Sequence, residues 1–404
     1  MLIKLDKNEY IISRLLSSSL FGNEETVSCR DINLKELFKI SIEQAICAVL
    51  FDGLPQGVSE FDKETYELWK NYSLAVVCTN EYNCRSSVEL ASLLKENGLD
   101  YCIIKGCTSA KYYPKSYLRQ MGDVDCLIEN DKLAEVRNIL LSNGYVCQEA
   151  THDFHETFKK DKMVFEVHSS LTKLPKGKEY LLKHIEDAVY QTEELQLEYG
   201  SVMGSNALYH GIIMLLHMQR HLTDGTGVGL RHLIDWAVFA NSFDNETWIS
   251  GFKQKILELK LWEFARIITK SAQLYLGLPS KDWFEGVDAS VAELLVYDIL
   301  KGGNFGCKDA ENMYQQQVFS NVEYVKDNMV VRFFRSSFDR MYSWKPIFKK
   351  YKVLAPIGFL IYSTRVMFQI CTGKKKLEFV EIYKQGKLRH NLLKELHFFD
   401  DEII

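Results

Sequence analysis

Apolar residues recur at three- and four-residue intervals through SIEQAICAVLFDGL and KETYELWKNYSLAVVCT, so residues 1–80 read as a helical N-terminal region. The same spacing continues in SSVELASLLKENG, a helix stopped by Gly98. The pattern then shortens. YCIIK is an apolar strand ending at Lys105, and DVDCLIE forms another after a stretch rich in Tyr and Lys. DKLAEVRNILLSNGY is an amphipathic helix with Asp131 near its start and Gly144 at its stop. ETFKK and MVFEVHSSL follow as two strands, joined by the two-residue connection Asp161 and Lys162. Residues 81–177 therefore form a small mixed sheet with flanking helices. From about Lys178 the helical spacing returns without strand alternation, which gives a helical domain over 178–300. Residues 301–404 begin with the Gly-rich loop KGGNFGCKDAEN and continue as a basic, aromatic-rich helical tail. The fold class expected is α+β, a small mixed sheet embedded in a mostly helical chain.

Composition narrows the setting. A 404-residue chain with 47% hydrophobic residues buries more than one core, and its net charge of −5 provides no global positive field to gather nucleic acid. The opening MLIKLDKNEYIISRLL lacks the basic and apolar segments of a signal peptide, which points to the cytoplasm. The ten cysteines are scattered without metal-site spacing and read as reduced thiols. The apolar run from Val353 to Cys371 has lysines on both sides but is broken by Pro356, Gly358 and Arg365. It reads as a buried helix hairpin in preference to a membrane-surface helix, with 353–376 as the segment that would make any surface contact, and it is not a transmembrane span.

Candidate chemistry centres on Gly-Asp-Val-Asp. Side chains two apart in a strand share a face, so Asp123 and Asp125 point together while Val124 and Cys126 enter the opposite layer. Two adjacent carboxylates repel each other; Mg²⁺ or Mn²⁺ would hold both ionised and supply charge at a triphosphate. Alone, Asp-x-Asp also fits a solvated edge strand. Glu166 has apolar neighbours on both sides and shares a strand face with His168, so it completes a three-carboxylate cluster if its strand pairs beside the aspartates. Lys105-Gly106 ends the first strand and opens a short helix, where backbone N–H groups can meet phosphate. Arg119 offers a planar fork to phosphate oxygens, against the plainer reading of a surface ion pair. Arg231 and Asp235 lie four apart on a helix, either as a local ion pair or as a second-domain hand on the nucleotide.

Two other patterns fail on context. His217 and His221 sit one helical turn apart, but Met218 stands where a metalloprotease helix needs its Glu, so they read as packing or substrate contacts. Gly225-Thr-Gly-Val-Gly229 follows a helix and not a strand, contrary to a dinucleotide-binding loop.

The succession CIIKG, YYP, LRQMGDVDCLIE, SNGY and FEVHSSL across Asp100–Leu171 resembles an uncharacterised family of bacterial nucleotidyltransferases in the DNA polymerase β-like superfamily. HLTDGTGVGLRHLIDWAVF resembles that family's helical Arg-x-x-x-Asp segment, and the GGNFG loop is similar too. The resemblance implies a minimal nucleotidyltransferase core. In it Asp123, Asp125 and Glu166 are the catalytic metal ligands, Lys105, Gly106, Arg119 and Arg231 surround the nucleotide phosphates, and His168 and Asp235 stand behind them. The superfamily's Gly-Ser loop reads Gly106-Cys107 here, so a hydroxyl on the terminal phosphate would come from Thr108 or Ser109. The implied activity is transfer of an NMP, AMP from ATP before other nucleotides, to a hydroxyl of a sugar or small molecule, an RNA end or a protein. The alternative is a silent nucleotide-binding regulator or scaffold in a polysaccharide-biosynthesis or toxin–antitoxin system.

Overall fold

The computed structural model describes residues 5–23, 27–148, 155–171, 179–224, 227–303, 329–372 and 379–398. Most of the Gly-rich stretch after Lys301, and the lysines that follow the apolar run at 353–371, lie outside these residues. Helices α1 (Lys7–Phe21), α2 (Leu34–Glu43) and α3 (Cys47–Asp52) pack before α4 (Lys63–Glu96). Asp62 caps α4 by accepting from the Thr65 N–H at 3.0 Å. The two apolar-periodic runs on either side of residue 80 are one continuous helix, so the boundary expected at 80/81 falls inside α4.

The sheet has the order β3-β4-β5-β2-β1-β7-β6. It comprises β1 (Tyr101–Ile104), β2 (Val124–Ile128), β3 (Val146–Cys147), β4 (His155–Lys160), β5 (Met163–His168), β6 (Thr192–Leu197) and β7 (Gly200–Ser205). Helix α5 (Gly106–Ala110) follows β1, and α6 (Leu133–Ser142) follows β2. β1 pairs antiparallel to β2, and β2 pairs parallel to β5. The hairpin expected at Asp161 and Lys162 forms, with Lys160 opposite Met163 and a positive φ at Asp161.

The purely helical reading after residue 178 is corrected by β6 and β7. Thr192–Leu197 carries Thr192, Gln196 and two glutamates because it is an edge strand, half solvated, so its alternation is weak. β7 then runs parallel to β1, with Ile103 paired to Gly204. The helical expectation holds beyond it, in α7 (Ala207–Asp224), α8 (Leu230–Asn241), α9 (Lys253–Glu258), α10 (Trp262–Leu276) and α11 (Ala289–Gly302).

Strand alternation divides the core in two. Ile103, Val124, Cys126, Phe165 and Val167 face a cluster closed by Leu90 and Leu94 of α4 and by Val136 and Leu140 of α6. Cys102, Ile104 and Leu127 face the larger cluster built by α1, α3 and the helices from α7 onward. The second face carries the polar residues at the strand ends, so the site lies between the sheet and the helical body.

The C-terminal helices are Met329–Trp344, Ile347–Lys350, Ala355–Cys371 and Phe379–Glu395. Leu392, Leu393, Leu396 and Phe398 return to the larger core. The run 353–371 is not the buried hairpin expected: Val353, Leu360 and Phe368 are exposed. No helix among the described residues is long and apolar enough to cross a membrane.

Candidate active site

A cavity of about 490 Å³ opens where β1, β2 and β5 end against α7 and α8, within the size range of small-molecule sites. Its sheet side presents Lys105, Gly106, Asp123, Asp125, Glu166 and His168. Its helical side presents His217, His221, Arg231 and His232.

The carboxylates meet through strand register. Because β2 and β5 are parallel neighbours, Asp125 lies directly opposite Glu166, and Asp123 immediately precedes β2. Lys105 enters from β1, whose Ile104 pairs with Asp125. Lys105 and Gly106 both have positive φ, 56° and 42°, which turns the chain sharply off the strand into α5. A Cβ added at Gly106 would meet nothing within 4 Å, so its backbone borders open cavity space.

The charges are tightly coupled. Lys105 Nζ donates to Asp125 Oδ1 at 2.8 Å, and His168 Nε2 lies 2.8 Å from the same oxygen. His168 Nε2 also lies 3.6 Å from Glu166 Oε2, and His155 Nε2 lies 3.9 Å from it. Burial alone would raise the Asp125 pKa, but Lys105 and His168 outweigh it and hold this carboxyl well below its ordinary range. Asp123 behaves oppositely. Burial, then the negative Asp125 and Glu166, push it up to about 6 against the pull of Lys105 and Arg231. Glu166 is lowered, chiefly by its hydrogen bond with His168, and His168 is raised because its two carboxylate partners overcome its burial. Lys105 and His168 thus favour the anionic form of Asp125, whereas Asp123 is pushed toward its protonated form.

A second polar network ties the sheet to the helices. Arg119 is buried and bidentate to Asp235, with Nε to Oδ1 at 2.8 Å and Nη2 to Oδ2 at 2.7 Å. The Tyr113 hydroxyl donates to Asp235 Oδ1 at 2.6 Å, and the Asn80 side chain donates to the Arg119 carbonyl at 2.8 Å. Asp235 pairs across the domain with Arg119, and Arg231 on its own helix adds a second positive charge that helps to hold the carboxyl low. Arg231 donates to the Gln120 carbonyl at 3.5 Å, and burial followed by nearby Arg119 lowers its pKa.

Sequence reasoning placed Asp123, Asp125, Glu166, Lys105, Gly106, Ser109, Arg119, Arg231, His168 and Asp235 together, and all of them line this cavity. Thr108 is the exception. Its hydroxyl donates to the Ile103 carbonyl at 3.0 Å and it packs beside Gly204, so the short helix turns it under the sheet, away from the cavity. His155 and His232 were missed. The hairpin at Asp161 and Lys162 already implied that His155 lies opposite His168, but the strand was begun one residue late. His155, Glu166 and His168 bring three ligand atoms within 4.8 Å of one another, adding nitrogen donors to the carboxylates.

Burial drives the helical wall's imidazoles toward neutrality. His221 falls to about 3, while His217 and His232 fall well below their ordinary value. His217 and His221 approach to 3.1 Å between Nε2 atoms, and the His232 ring lies tilted beside them, its centroid 5.5 Å and 5.9 Å from theirs.

No curated protein matches this sequence significantly. Residues 30–277, more than half of the chain and the whole of this site, match a family described as uncharacterised nucleotidyltransferase. The chain belongs to that nucleotidyltransferase family.

Proposed function

We propose that the protein transfers an NMP, AMP from ATP in the first instance, to an acceptor hydroxyl and releases pyrophosphate, using Asp123, Asp125 and Glu166 to hold Mg²⁺ or Mn²⁺. The observation that carries this reading is the register of β2 and β5, which gathers three carboxylates at one cavity wall although each raises the cost of ionising the next. Asp123 and Asp125 line the same cavity as His155, Glu166 and His168, whose ligand atoms lie within 4.8 Å of one another, and a mixed set of carboxylates and imidazoles suits a divalent ion. When bound, such an ion supplies positive charge to the phosphates and helps to orient the reacting oxygens.

The chain's own groups have separable roles. Lys105 and His168 neutralise Asp125 at the position a dication would share, and Lys105 is within reach of a phosphate at the cavity floor. Gly106 lets the nucleotide approach the backbone, and Ser109 offers a hydroxyl on the same side. Arg231 brings the helical domain's positive charge to the phosphates. Arg119, committed to Asp235, positions the loop that leads to Asp123. In this reading Glu166, besides holding metal, orients the acceptor hydroxyl and accepts its proton. Burial of Asp125 and His168 at the cavity wall strengthens the interactions among these charges.

The test is transfer of label from each NTP to components of a cell extract in the presence of Mg²⁺ or Mn²⁺. Wild type labels a product and releases pyrophosphate, whereas a folded Asp123→Asn/Asp125→Asn protein does neither. Equal labelling by both proteins would refute the role of the carboxylates. Nucleotide binding without turnover, under every acceptor tried, would favour the regulator reading.

A further inference from the structure

The helix Ala355–Cys371 presents its apolar face outward. Val353 is 90% exposed, Leu360 66% and Phe368 65%, and Ile357 and Ile361 stand with them. The spacing 357, 360, 361, 368 is one helical stripe. The opposite face is held in place. A Cβ on Gly358 would lie 2.7 Å from Met341 and Phe348, Phe359 stacks on Phe338 at 4.7 Å, and Tyr362 lies 5.8 Å from Trp344. The outward stripe is therefore not a helix that can simply roll inward.

The charge around this stripe is one-sided. No Asp or Glu occurs between Asp339 and Glu378, whereas the interval carries nine Lys and Arg in a chain of net charge −5. Lys345, Lys349, Lys350 and Lys352 stand immediately before the helix. We propose that this face binds an anionic lipid surface, with Leu360 and Phe368 in the headgroup and acyl boundary and the lysines on acidic headgroups. The helix has 17 residues and does not qualify as a span, which suits a helix lying in the interface plane. Self-association would bring the lysine clusters of two copies together and repel, whereas acidic lipid complements them. The inference stands independently of the nucleotidyl-transfer reading.

The experiment is flotation of the full chain with vesicles of phosphatidylcholine alone and of phosphatidylcholine mixed with phosphatidylserine, at low and high salt. Wild type floats with the mixed vesicles at low salt and remains behind with neutral ones. Each basic side chain near an anionic surface is worth about fivefold in partitioning, so Lys349→Glu/Lys350→Glu weakens binding by more than about twentyfold. Leu360→Ser/Phe368→Ser, which alters exposed positions, lowers it without changing the circular dichroism or unfolding midpoint. The proposal is overturned by absence of flotation, by equal binding to both vesicle types, by a dimer that the serine variant dissolves, or by binding to nucleic acid in place of vesicles.

Discussion

Replacing Asp235 with Ala should destabilise the protein by about 3–5 kcal/mol, the range for removing one member of a buried ion pair. The structure gives the reason for the upper end. Asp235 accepts two hydrogen bonds from Arg119 and one from Tyr113, and all three groups are buried. Each charge-assisted bond is worth about 1.5–3 kcal/mol, but they share one carboxylate and do not add fully. Without Asp235, the buried Arg119 guanidinium is left beside the like charge of Arg231. The loss would consume a third or more of a typical domain's stability. Urea unfolding followed by both tryptophan fluorescence and circular dichroism measures it, with coincident transitions licensing a free energy. In Arg119→Met/Asp235→Leu, two apolar groups replace the pair and most of the stability returns. Transfer activity should stay at least about tenfold low, because Asp123 has lost the buried tether four residues upstream. A loss below about 1 kcal/mol in the single variant, or a double variant no more stable than the single, would refute the reasoning.

Asp123→Asn should abolish transfer yet stabilise the metal-free protein at neutral pH by about 1–3 kcal/mol, since a carboxyl raised to about 6 from 3.8 penalises the native state once ionised. That gain grows as pH rises through 6 and vanishes below 3.8; thermal unfolding in EDTA measures it, and an unchanged midpoint contradicts it. His221, lowered to about 3, contributes stability that is present above its unfolded pKa near 6.5 and is lost as pH falls toward 3. The stability difference between wild type and His221→Gln should therefore shift by about 1.4 kcal/mol against wild type from pH about 7.5 to about 5.5. Constancy across that window would show that the ring is already solvated. Because His155 and His168 bring nitrogen donors to Glu166, Mn²⁺ should bind more tightly than Mg²⁺, and His155→Ala should narrow that preference in calorimetric titration. An unchanged preference would remove His155 from the ion's surroundings.

The site was legible where local pattern and long-range geometry coincide. The phase of Asp123 and Asp125 follows from period two, and Val124 and Cys126 do enter the opposite core. The parallel pairing that brings Glu166 beside Asp125 was only a condition in the sequence, because register across a crossover is set by helix packing and not by nearby residues. Arg119 shows the same limit: its fork suited a phosphate equally well, and only the fold reveals Asp235 at its end. β6 escaped because a glutamate-rich edge strand has no strong apolar alternation, and β7 because its Gly and Ser residues leave only Val202 and Met203 as apolar signal. The helix Ala355–Cys371 misled for the converse reason: an apolar run reports that a face avoids water, not what covers it.

The central claim is that Asp123 and Asp125 direct attack at the α-phosphate of a nucleoside triphosphate. The most direct measurement uses ATP labelled separately at the α- and γ-phosphates, with Mg²⁺ and a cell extract, for wild type and Asp123→Asn/Asp125→Asn. The α label should pass to an acceptor while the γ label leaves in pyrophosphate, both only with wild type. Passage of the γ label to the acceptor, or the same α labelling by the double variant, would contradict the account.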